Sequence, residues 1–419
     1  MMKADIDVLV IGGGVIGVCS AYYLAKQGFR VSIVEQGEIA SGCSGDNAGL
    51  IVPSYSIPLA APGALRQGLK WMLKPESPFY IKPRFDPALF YWLWKFGRSC
   101  NLQWMHQGLG VLRHLNYASL ELFEHLILDE SLLCNYRQDG WLMIYKTEQG
   151  FQEALKEAHL LQSYDIELKT LNADETLEME PALHPEICGS IFFPQDAHLD
   201  PAKFVQATAE RLRKQGLTIH TQTEVLELKT SGGCVTTVRT SRGDFQPKQV
   251  VLAAGAWSPG LVQNLGFRLP LQPAKGYSIS IKKPEACPAI PLYFSEAKVA
   301  VTPLQDVLRF AGTLELIGMD FNINLRRVDA IMRSAEDYLQ HIENLYLDTI
   351  EIWHGLRPCS PDGLPIIDRF PGYNNLIIAS GHCMLGITLA PITGKLVSQL
   401  VCGQSPEVDL TPLRLIRFR

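Results

Sequence analysis

The chain has 419 residues, of which 47% are hydrophobic and 19% are charged, and its formal net charge is −5 at pH 7. This length exceeds what one ordinary hydrophobic core supports, so we expect two lobes. The negative balance gives no electrostatic basis for binding nucleic acid. The ten cysteines include no CxxC pair, which argues against a metal site or a disulfide framework and favours reduced thiols in a cytoplasmic compartment.

The first predicted unit is a strand, a glycine turn and a helix. Residues 6–17 read Ile-Asp-Val-Leu-Val-Ile-Gly-Gly-Gly-Val-Ile-Gly, a helix is predicted over Val15–Gln27, and a second strand ends at Glu35. In such a unit the glycines permit the turn, the approach of a pyrophosphate and close helix packing, and the acid accepts hydrogen bonds from a ribose. The carboxylate disfavours NADP, because it would repel a 2′-phosphate. The predicted dinucleotide contacts are Gly12, Gly14, Val15, Ile16, Gly17, Glu35 and Gln36.

The uncharged run Val8–Ala25 is eighteen residues long, a length that could indicate a membrane span. Three consecutive glycines interrupt it, and Asp7 precedes it where a signal peptide carries net positive charge. We therefore interpret the run as a buried parallel strand and a buried helix. We expect neither a targeting segment nor a membrane-spanning helix.

Small and polar residues dominate the next segment, 40–50, as expected of a loop that lies against a large flat ligand. A nicotinamide enzyme would continue its alternation of strands and helices here. The loop therefore favours FAD, with NAD as the alternative. The predicted contacts in it are Ser41, Ser44, Asn47, Ala48, Gly49 and Leu50.

Three later segments, 217–229, 249–258 and 375–382, are predicted to return strands to the same sheet and so to surround an extended FAD. A helix is predicted to start near Gly386 and reach Val401, with its positive end aimed at the flavin pyrimidine ring. A plain C-terminal helix packed on the sheet is the alternative. The predicted cofactor contacts are Val225, Ala254, Gly255, Trp257, Gly355, Gly381, Leu385, Gly386, Ile387 and Thr388.

Several motifs carry a resemblance to a known family. They are the glycine turn, Asn47-Ala48-Gly49 with the proline-rich stretch 53–63, Lys275-Gly276-Tyr277-Ser278, Gly355-Leu356-Arg357-Pro358 with 360–365, and Gly381-His382 with Leu385-Gly386. Together they resemble the FAD-dependent D-amino-acid dehydrogenases, in a larger group with glycine oxidase, sarcosine oxidase, D-amino-acid oxidase and the hydroxyproline dehydrogenases. The resemblance covers essentially the whole chain. The Asn-Ala-Gly loop and the region of Trp71 favour the dehydrogenase branch.

The resemblance places Arg357 at the substrate carboxylate, where a planar guanidinium can bind both oxygens. A structural arginine that caps a carbonyl is the alternative. His382 is a second candidate catalytic residue that could line the flavin face or modulate the amine, unless it is a buried histidine bonded to the backbone. Where glycine oxidases have an arginine and a tyrosine, this chain has Met384 and, nearest the tyrosine position, Ala300. We therefore expect a roomier, more apolar pocket than one for glycine.

The resemblance implies oxidative deamination of a D-amino acid or a secondary amino acid. In this reaction a hydride passes from Cα to flavin N5 and the imino acid is then hydrolysed, with orientation as the main task of the protein. The resemblance also implies a quinone or other non-oxygen acceptor. An oxygen-using glycine or D-amino-acid oxidase, a hydroxyproline or D-proline-type dehydrogenase and a non-enzymatic flavin-binding protein remain alternatives. Covalent attachment of the flavin stays open.

Aromatic residues interleave with cations in residues 65–105, which suits either a peripheral contact with the inner face of the cytoplasmic membrane or an aromatic core. The resemblance tips the interpretation towards the membrane. Tyr277 could contact flavin or substrate, although an aromatic residue at a strand start is more often part of a core.

We expect an α/β fold in which a discontinuous, Rossmann-like FAD-binding lobe of the glutathione-reductase type joins a second α+β lobe on an antiparallel sheet. The predicted FAD lobe comprises residues 1–86, 195–270 and 352–419. The predicted substrate lobe comprises residues 87–194 and 271–351.

Overall fold

The computed structural model describes residues 6–72, 76–340, 342 and 347–419. The strands in these ranges are β1 Val8–Ile11, β2 Val31–Val34, β3 Leu50–Ile51, β4 Phe79–Ile81, β5 Trp141–Tyr145, β6 Lys169–Asn172, β7 Gly189–Phe193, β8 Ala197–His198, β9 Thr218–His220, β10 Val225–Ser231, β11 Cys234–Thr240, β12 Gly243–Phe245, β13 Gln249–Leu252, β14 Gln272–Lys282, β15 Leu292–Phe294, β16 Val299–Pro303, β17 Val307–Leu316, β18 Thr349–Cys359, β19 Ile366–Arg369 and β20 Leu376–Ser380. The α-helices are α1 Val15–Lys26, α2 Ala64–Met72, α3 Pro87–Ser99, α4 Leu102–Glu130, α5 Glu148–Gln162, α6 Ala173–Met179, α7 Pro201–Lys214, α8 Ser258–Val262, α9 Leu325–Tyr338 and α10 Ala390–Cys402.

A six-stranded sheet forms the first lobe, in the order β19-β20-β13-β1-β2-β9. Its strands are parallel except for β19, which pairs antiparallel with β20. Strand β1 is buried on both faces, because Val8 and Val10 belong to one core cluster while Leu9 and Ile11 belong to another. Helices α1, α7 and α10 pack together on the first of these faces, and the small sheet of β10, β11 and β12 covers the other.

The second lobe is built on a larger sheet that follows the path β18-β14-β17-β16-β15-β5-β7-β6, with β4 paired to β17. Most of its pairs are antiparallel, but β15 pairs parallel with β5 and β4 parallel with β17. Helix α9 packs against β17 and β14. Residues 79–81 and 352–359, which the predicted division assigned to the FAD lobe, pair in this sheet.

The predicted fold class is confirmed, since a Rossmann-like parallel sheet adjoins a second lobe on a mainly antiparallel sheet. The three later segments do return strands β9, β13 and β20 to the first sheet. Residues 217–229 nevertheless form two strands, so Val225 belongs to the small sheet and not to the six-stranded one.

Candidate functional site

A cavity of about 1070 Å³ opens at the carboxyl ends of the parallel strands. Residues that directly follow β1, β2 and β13 line it, namely Gly12, Glu35 and Ala253, and it extends to Arg357 on the second sheet. The crevice outside the carboxyl ends of parallel strands is where open α/β sheets bind ligands. The cavity therefore joins the predicted cofactor turn to the predicted carboxylate clamp.

The glycine turn brings the backbone close to this cavity. Gly12 has φ +112°, and a Cβ there would stand 2.5 Å from the carbonyl oxygen of Ala253. A Cβ on Gly14 would stand 3.0 Å from Ser44 Oγ, which accepts a hydrogen bond from the Val15 N–H at 2.9 Å. A Cβ on Gly12 would overlap the backbone that follows β13, and one on Gly14 would press on Ser44. The glycines therefore keep the turn tight and leave the start of α1 open to a pyrophosphate, so the cradle fits a dinucleotide.

Glu35 follows β2 on the cavity wall. Its carboxylate accepts hydrogen bonds from the N–H groups of Gly13 at 2.6 Å and Gly37 at 2.8 Å. A carboxylate has about four lone-pair sites, so two remain for the hydroxyls of a ribose. The backbone contacts fix the orientation of the acid, which the sequence pattern alone did not define.

Nineteen of the predicted cofactor residues line the cavity: Gly12, Gly14, Val15, Ile16, Glu35, Gln36, Ser41, Ser44, Asn47, Ala48, Leu50, Val225, Ala254, Gly255, Trp257, Gly355, Leu385, Gly386 and Ile387. They come from both lobes and from segments separated by more than two hundred residues. The tertiary structure thus brings most of the predicted contacts to a single surface.

Four predicted contacts are absent from that surface among the described residues. Gly17 packs on the Gly12 carbonyl, and Gly49 on that of Leu199, in each case too closely for a Cβ. Gly381 has φ +82° and lies beneath the wall against Leu271. The Thr388 hydroxyl bonds to the backbone on either side of Ile51, since it accepts from the Val52 N–H and donates to the Leu50 carbonyl. These four residues shape the wall, and their assignment as direct cofactor contacts stays a prediction.

The C-terminal helix also starts later than predicted. Residues 386–389 form turns, with the Leu389 N–H donating to the Leu385 carbonyl, and α10 begins only at Ala390. Pro391 stands in its first turn, a position that proline favours because its missing N–H is not needed there. Gly386 and Ile387 of this turn, and not the first residues of α10, therefore line the cavity.

Arg357 lies on β18 with its guanidinium directly over Gly276 of β14, where no Cβ could fit. Its Nη1 donates to the carbonyl of Thr313 at 2.9 Å, and the side chain lines the cavity. Thr313 has φ +68°, a left-handed conformation that is strained for a β-branched residue. Within the described ranges the guanidinium makes no other hydrogen bond, so its remaining N–H groups are available to a carboxylate.

His382 lines the same cavity but is only 2% exposed. Its Nε2 lies 3.0 Å from the Thr393 hydroxyl on α10, and burial lowers the pKa of the imidazole to about 3. The ring is therefore neutral at physiological pH. It joins the cavity wall to α10 through a side-chain hydroxyl and not, as the alternative interpretation held, through the backbone.

Two tyrosines that the sequence reasoning missed enter the substrate end of the cavity. Ala300 and Met384 line this region as expected, but Tyr293 is the direct cross-strand partner of Ala300 and supplies a hydroxyl beside it. Tyr55 hydrogen-bonds to Tyr293, and burial is the main cause that raises the pKa of both phenols. The expectation of a more apolar pocket is therefore wrong at this wall.

Tyr277 belongs to the core of the second lobe. It is 1% exposed, and its hydroxyl donates to Glu315 at 2.7 Å, which also accepts from Arg327. The buried ion pair of Glu315 and Arg327 fixes α9 on the sheet, and Tyr277 completes its hydrogen bonding. Tyr277 is thus a core residue that also lines the cavity, and its contact with flavin or substrate stays a prediction.

Across residues 6–72, 76–340, 342 and 347–419 no group of three or more His, Cys, Asp or Glu side chains could hold a metal ion. No helix there is long and apolar enough to cross a membrane. The ten cysteines are free thiols.

Comparisons with known proteins agree on one family. A family profile described as DAO, FAD dependent oxidoreductase, matches residues 7–400. The chain is similar to the D-amino acid dehydrogenase of Vibrio vulnificus (strain CMCP6), with 33% identity over 417 residues, 98% of this chain and 99% of the relative. It is also similar to the D-amino acid dehydrogenase of Helicobacter pylori, with 32% identity over 395 residues, 94% of each chain.

Among solved structures, the chain resembles glycine oxidase from Geobacillus kaustophilus, with a TM-score of 0.80 and 23% identity over 98% of each chain. At this identity the likeness shows the fold. The family description names FAD, which confirms the cofactor that the glycine turn and the loop of residues 40–50 predicted.

Proposed function

Because the chain belongs to the DAO family of FAD-dependent oxidoreductases, we propose that it oxidatively deaminates a D-amino acid and passes the electrons to a quinone or another non-oxygen acceptor. The curated relatives at about a third identity are D-amino acid dehydrogenases, which supports both the reaction and its stereochemistry. FAD, when bound, accepts the hydrogen and the electron pair that leave the Cα of the substrate.

One observation carries the proposal: an arginine guanidinium is fixed at the end of the cofactor cavity. Arg357 is held between Gly276 and the Thr313 carbonyl, with donors left for a ligand. A planar guanidinium binds a carboxylate through two parallel hydrogen bonds, so it defines both position and rotation of an amino acid. A module that only binds FAD has no use for such a clamp.

The remaining work of the protein is orientation and exclusion of water. Arg357 holds the substrate carboxylate. The hydrogen-bonded pair of Tyr55 and Tyr293 lines the part of the cavity into which the substrate side chain extends. With a pKa of about 3, the neutral His382 is too weak a base to take a proton from the substrate ammonium at physiological pH. The substrate amine therefore has to arrive deprotonated, and the chain supplies geometry instead of proton transfer.

A test of this proposal is anaerobic mixing of the FAD-loaded protein with D- and L-amino acids while the flavin absorbance is followed. Bleaching by D-amino acids is expected, with slow or no peroxide formation when oxygen is admitted and fast reoxidation by a soluble quinone. Rapid peroxide formation would favour the oxidase alternative. Bleaching by D-proline or a hydroxyproline alone would favour the secondary-amine alternative, and no bleaching by any amino acid would contradict the proposal.

We further propose that exposed side chains within residues 65–72 and 76–102 form a peripheral contact with the inner face of the cytoplasmic membrane. Six large apolar side chains of this segment are exposed: Leu65, Leu69, Phe85, Phe90, Trp94 and Leu102. Lys95 and Arg98 lie over the ring of Trp94, at 5.1 and 5.2 Å from its centroid. Exposed aromatics with adjacent cations suit an anionic lipid surface, where a quinone would be accessible. Buried Leu89 and Trp92 on the other side of α3 belong to the core, so the proposed membrane contact concerns the exposed face of this helix.

Vesicle co-flotation tests the membrane contact. Binding to vesicles that contain an anionic lipid should exceed binding to neutral vesicles and should fall with added salt. Phe85→Ser and Trp94→Ser should reduce flotation, whereas Leu133→Ser, which is equally exposed on another part of the surface, should not. Equal flotation of all variants would contradict the proposed surface.

A further inference from the structure

A second cavity of about 180 Å³ adjoins the main one at the substrate end. The two cavities share four wall residues: Tyr55, Leu59, Trp141 and Met384. Neither the cofactor turn nor Arg357 lines the smaller cavity. It therefore extends the site away from the carboxylate clamp, in the direction that a substrate side chain would take.

Helix α5 places a carboxylate on the wall of this smaller cavity. Its residues Ala154, Ala158 and Leu161 are buried, so this side of the helix faces the interior, and Glu157 lies on the same side. Burial raises the pKa of Glu157, and the positive charge of Lys298 opposes that rise. In the described part of the chain no group donates a hydrogen bond to this carboxylate.

Of the charged side chains around the smaller cavity, the Glu157 carboxylate is the one that lacks a hydrogen-bond donor among the described residues. Lys298 lies with its Nζ 5.8 Å from the centre of the Tyr293 ring and interacts electrostatically with Glu157 and Glu296. Glu296 is already satisfied, because it accepts hydrogen bonds from the backbone of Lys146 and from the Tyr338 hydroxyl. Glu157 and Glu296 thus share the ammonium of Lys298. Glu157, which accepts no hydrogen bond among the described residues, lines the smaller cavity.

Tyr55 connects the two charged ends of the site. It lines both cavities, whereas Arg357 lines the larger one and Glu157 the smaller one. The joined cavities therefore carry a cationic group on one side of Tyr55's wall and an anionic group beyond it. A ligand with an anionic head and a cationic tail matches this order of charges.

We propose that the smaller cavity is a side-chain pocket in which Glu157 accepts hydrogen bonds from the cationic end of a basic D-amino acid, while Arg357 holds its α-carboxylate. This inference rests on the proposed amino-acid oxidation. A charge-assisted hydrogen bond is stronger than a neutral one. An apolar side chain in the same place would displace water from the Glu157 carboxylate without giving it a partner, and such a mismatch disfavours the apolar analogue.

The test is the anaerobic reduction rate of the flavin with matched D-amino acids. D-lysine and D-norleucine share a four-carbon side chain and differ by the terminal ammonium, D-arginine adds the guanidinium, and D-glutamate carries the opposite charge. The wild type should show kcat/KM about tenfold or more higher for D-lysine or D-arginine than for D-norleucine. Glu157→Gln should remove most of that ratio, both by slowing D-lysine and by relieving the penalty on D-norleucine.

Two further variants separate the role of Glu157 from a structural one. Glu153→Gln, one turn earlier on α5 and outside both cavities, should leave the ratio unchanged. Lys298→Met should raise the preference for basic substrates, because it removes the competing ammonium. FAD content and thermal stability of each variant report whether it is folded.

Equal rates for D-lysine and D-norleucine, a preference for D-glutamate, or an unchanged ratio in Glu157→Gln would overturn the inference while leaving amino-acid oxidation intact. Failure of every D-amino acid to bleach the flavin would instead overturn the proposed function, and the pocket assignment with it.

Discussion

The two ends of the cavity are built in different ways. Two stretches that are each local in sequence, the turn of residues 11–16 and the loop of residues 40–50, form a large part of the cofactor end, and later segments such as residues 253–257 complete it. The substrate end is formed by side chains from four distant segments, with Arg357 and Thr313 on one wall and Tyr55 and Tyr293 on another. A site for a shared cofactor thus depends on local geometry, whereas the site for a particular substrate depends on long-range packing.

The largest effect is expected from a side chain in the glycine turn. Gly12→Ala combines φ +112° with a Cβ that would stand 2.5 Å from the Ala253 carbonyl oxygen. Backbone strain and steric overlap together should lower the free energy of unfolding by about 4 kcal/mol. The purified variant should contain little or no FAD. Gly28→Ala is the matched control, because Gly28 has φ +83° but no atom within 4 Å of its Cβ position. Normal FAD content in Gly12→Ala would mean that the turn is not the cradle.

The next effect tests the opposite end of the cavity. Arg357→Lys should cost about 2–4 kcal/mol of transition-state stabilisation, since an ammonium cannot form the two parallel hydrogen bonds of a guanidinium. The measurement is kcat/KM for amino acids, with FAD content near normal. A decarboxylated amine should react alike with wild type and variant. Loss of FAD from the variant, or unchanged rates with amino acids, would show that Arg357 has a structural role and does not bind the substrate. The two ends of the cavity would then not differ in the way described.

A third test uses the histidine between the two ends. The pKa of buried His382 is about 3 in the folded protein and near its ordinary 6.5 in the unfolded chain. The unfolded state therefore binds the proton first, so stability falls as pH decreases from about 6.5 towards 3. Between pH 8 and pH 5 this histidine should account for about 2 kcal/mol of lost unfolding free energy. Urea denaturation of wild type and His382→Gln at both pH values measures it, and an equal loss in the two proteins would exclude a buried neutral histidine.

The smallest effect is expected at the ribose acid. Glu35→Ala should weaken FAD binding by about 1–3 kcal/mol, the scale for a hydrogen bond to a charged group. Titration of the apoprotein with FAD measures it. Glu38→Ala is the control. Glu38 is exposed, and among the described residues its carboxylate accepts a hydrogen bond only from the Gln222 side chain. An affinity equal to that of wild type would remove Glu35 from the site and weaken the view that local sequence defines the cofactor end.

The difference between local and long-range contacts also explains which predictions from the sequence were accurate. Helix α1 was predicted over Val15–Gln27 and covers Val15–Lys26, because a glycine turn and an apolar run are local signals. The start of α10 was placed at Gly386, although Pro391 marks the first turn of a helix that begins at Ala390. That proline was an available signal for the later start.

What the sequence determined by itself was the cofactor end: the turn, the acid and the strands that return to one sheet. Only the tertiary structure decided that Tyr293 stands opposite Ala300 and that Glu157 of α5 reaches a cavity beside Tyr55. Strand register in the second lobe depends on pairing between residues far apart in sequence, and no local pattern records it. The physical reason is that backbone turns are fixed by neighbouring residues, whereas a substrate pocket is fixed by which distant side chains the packed sheets bring together.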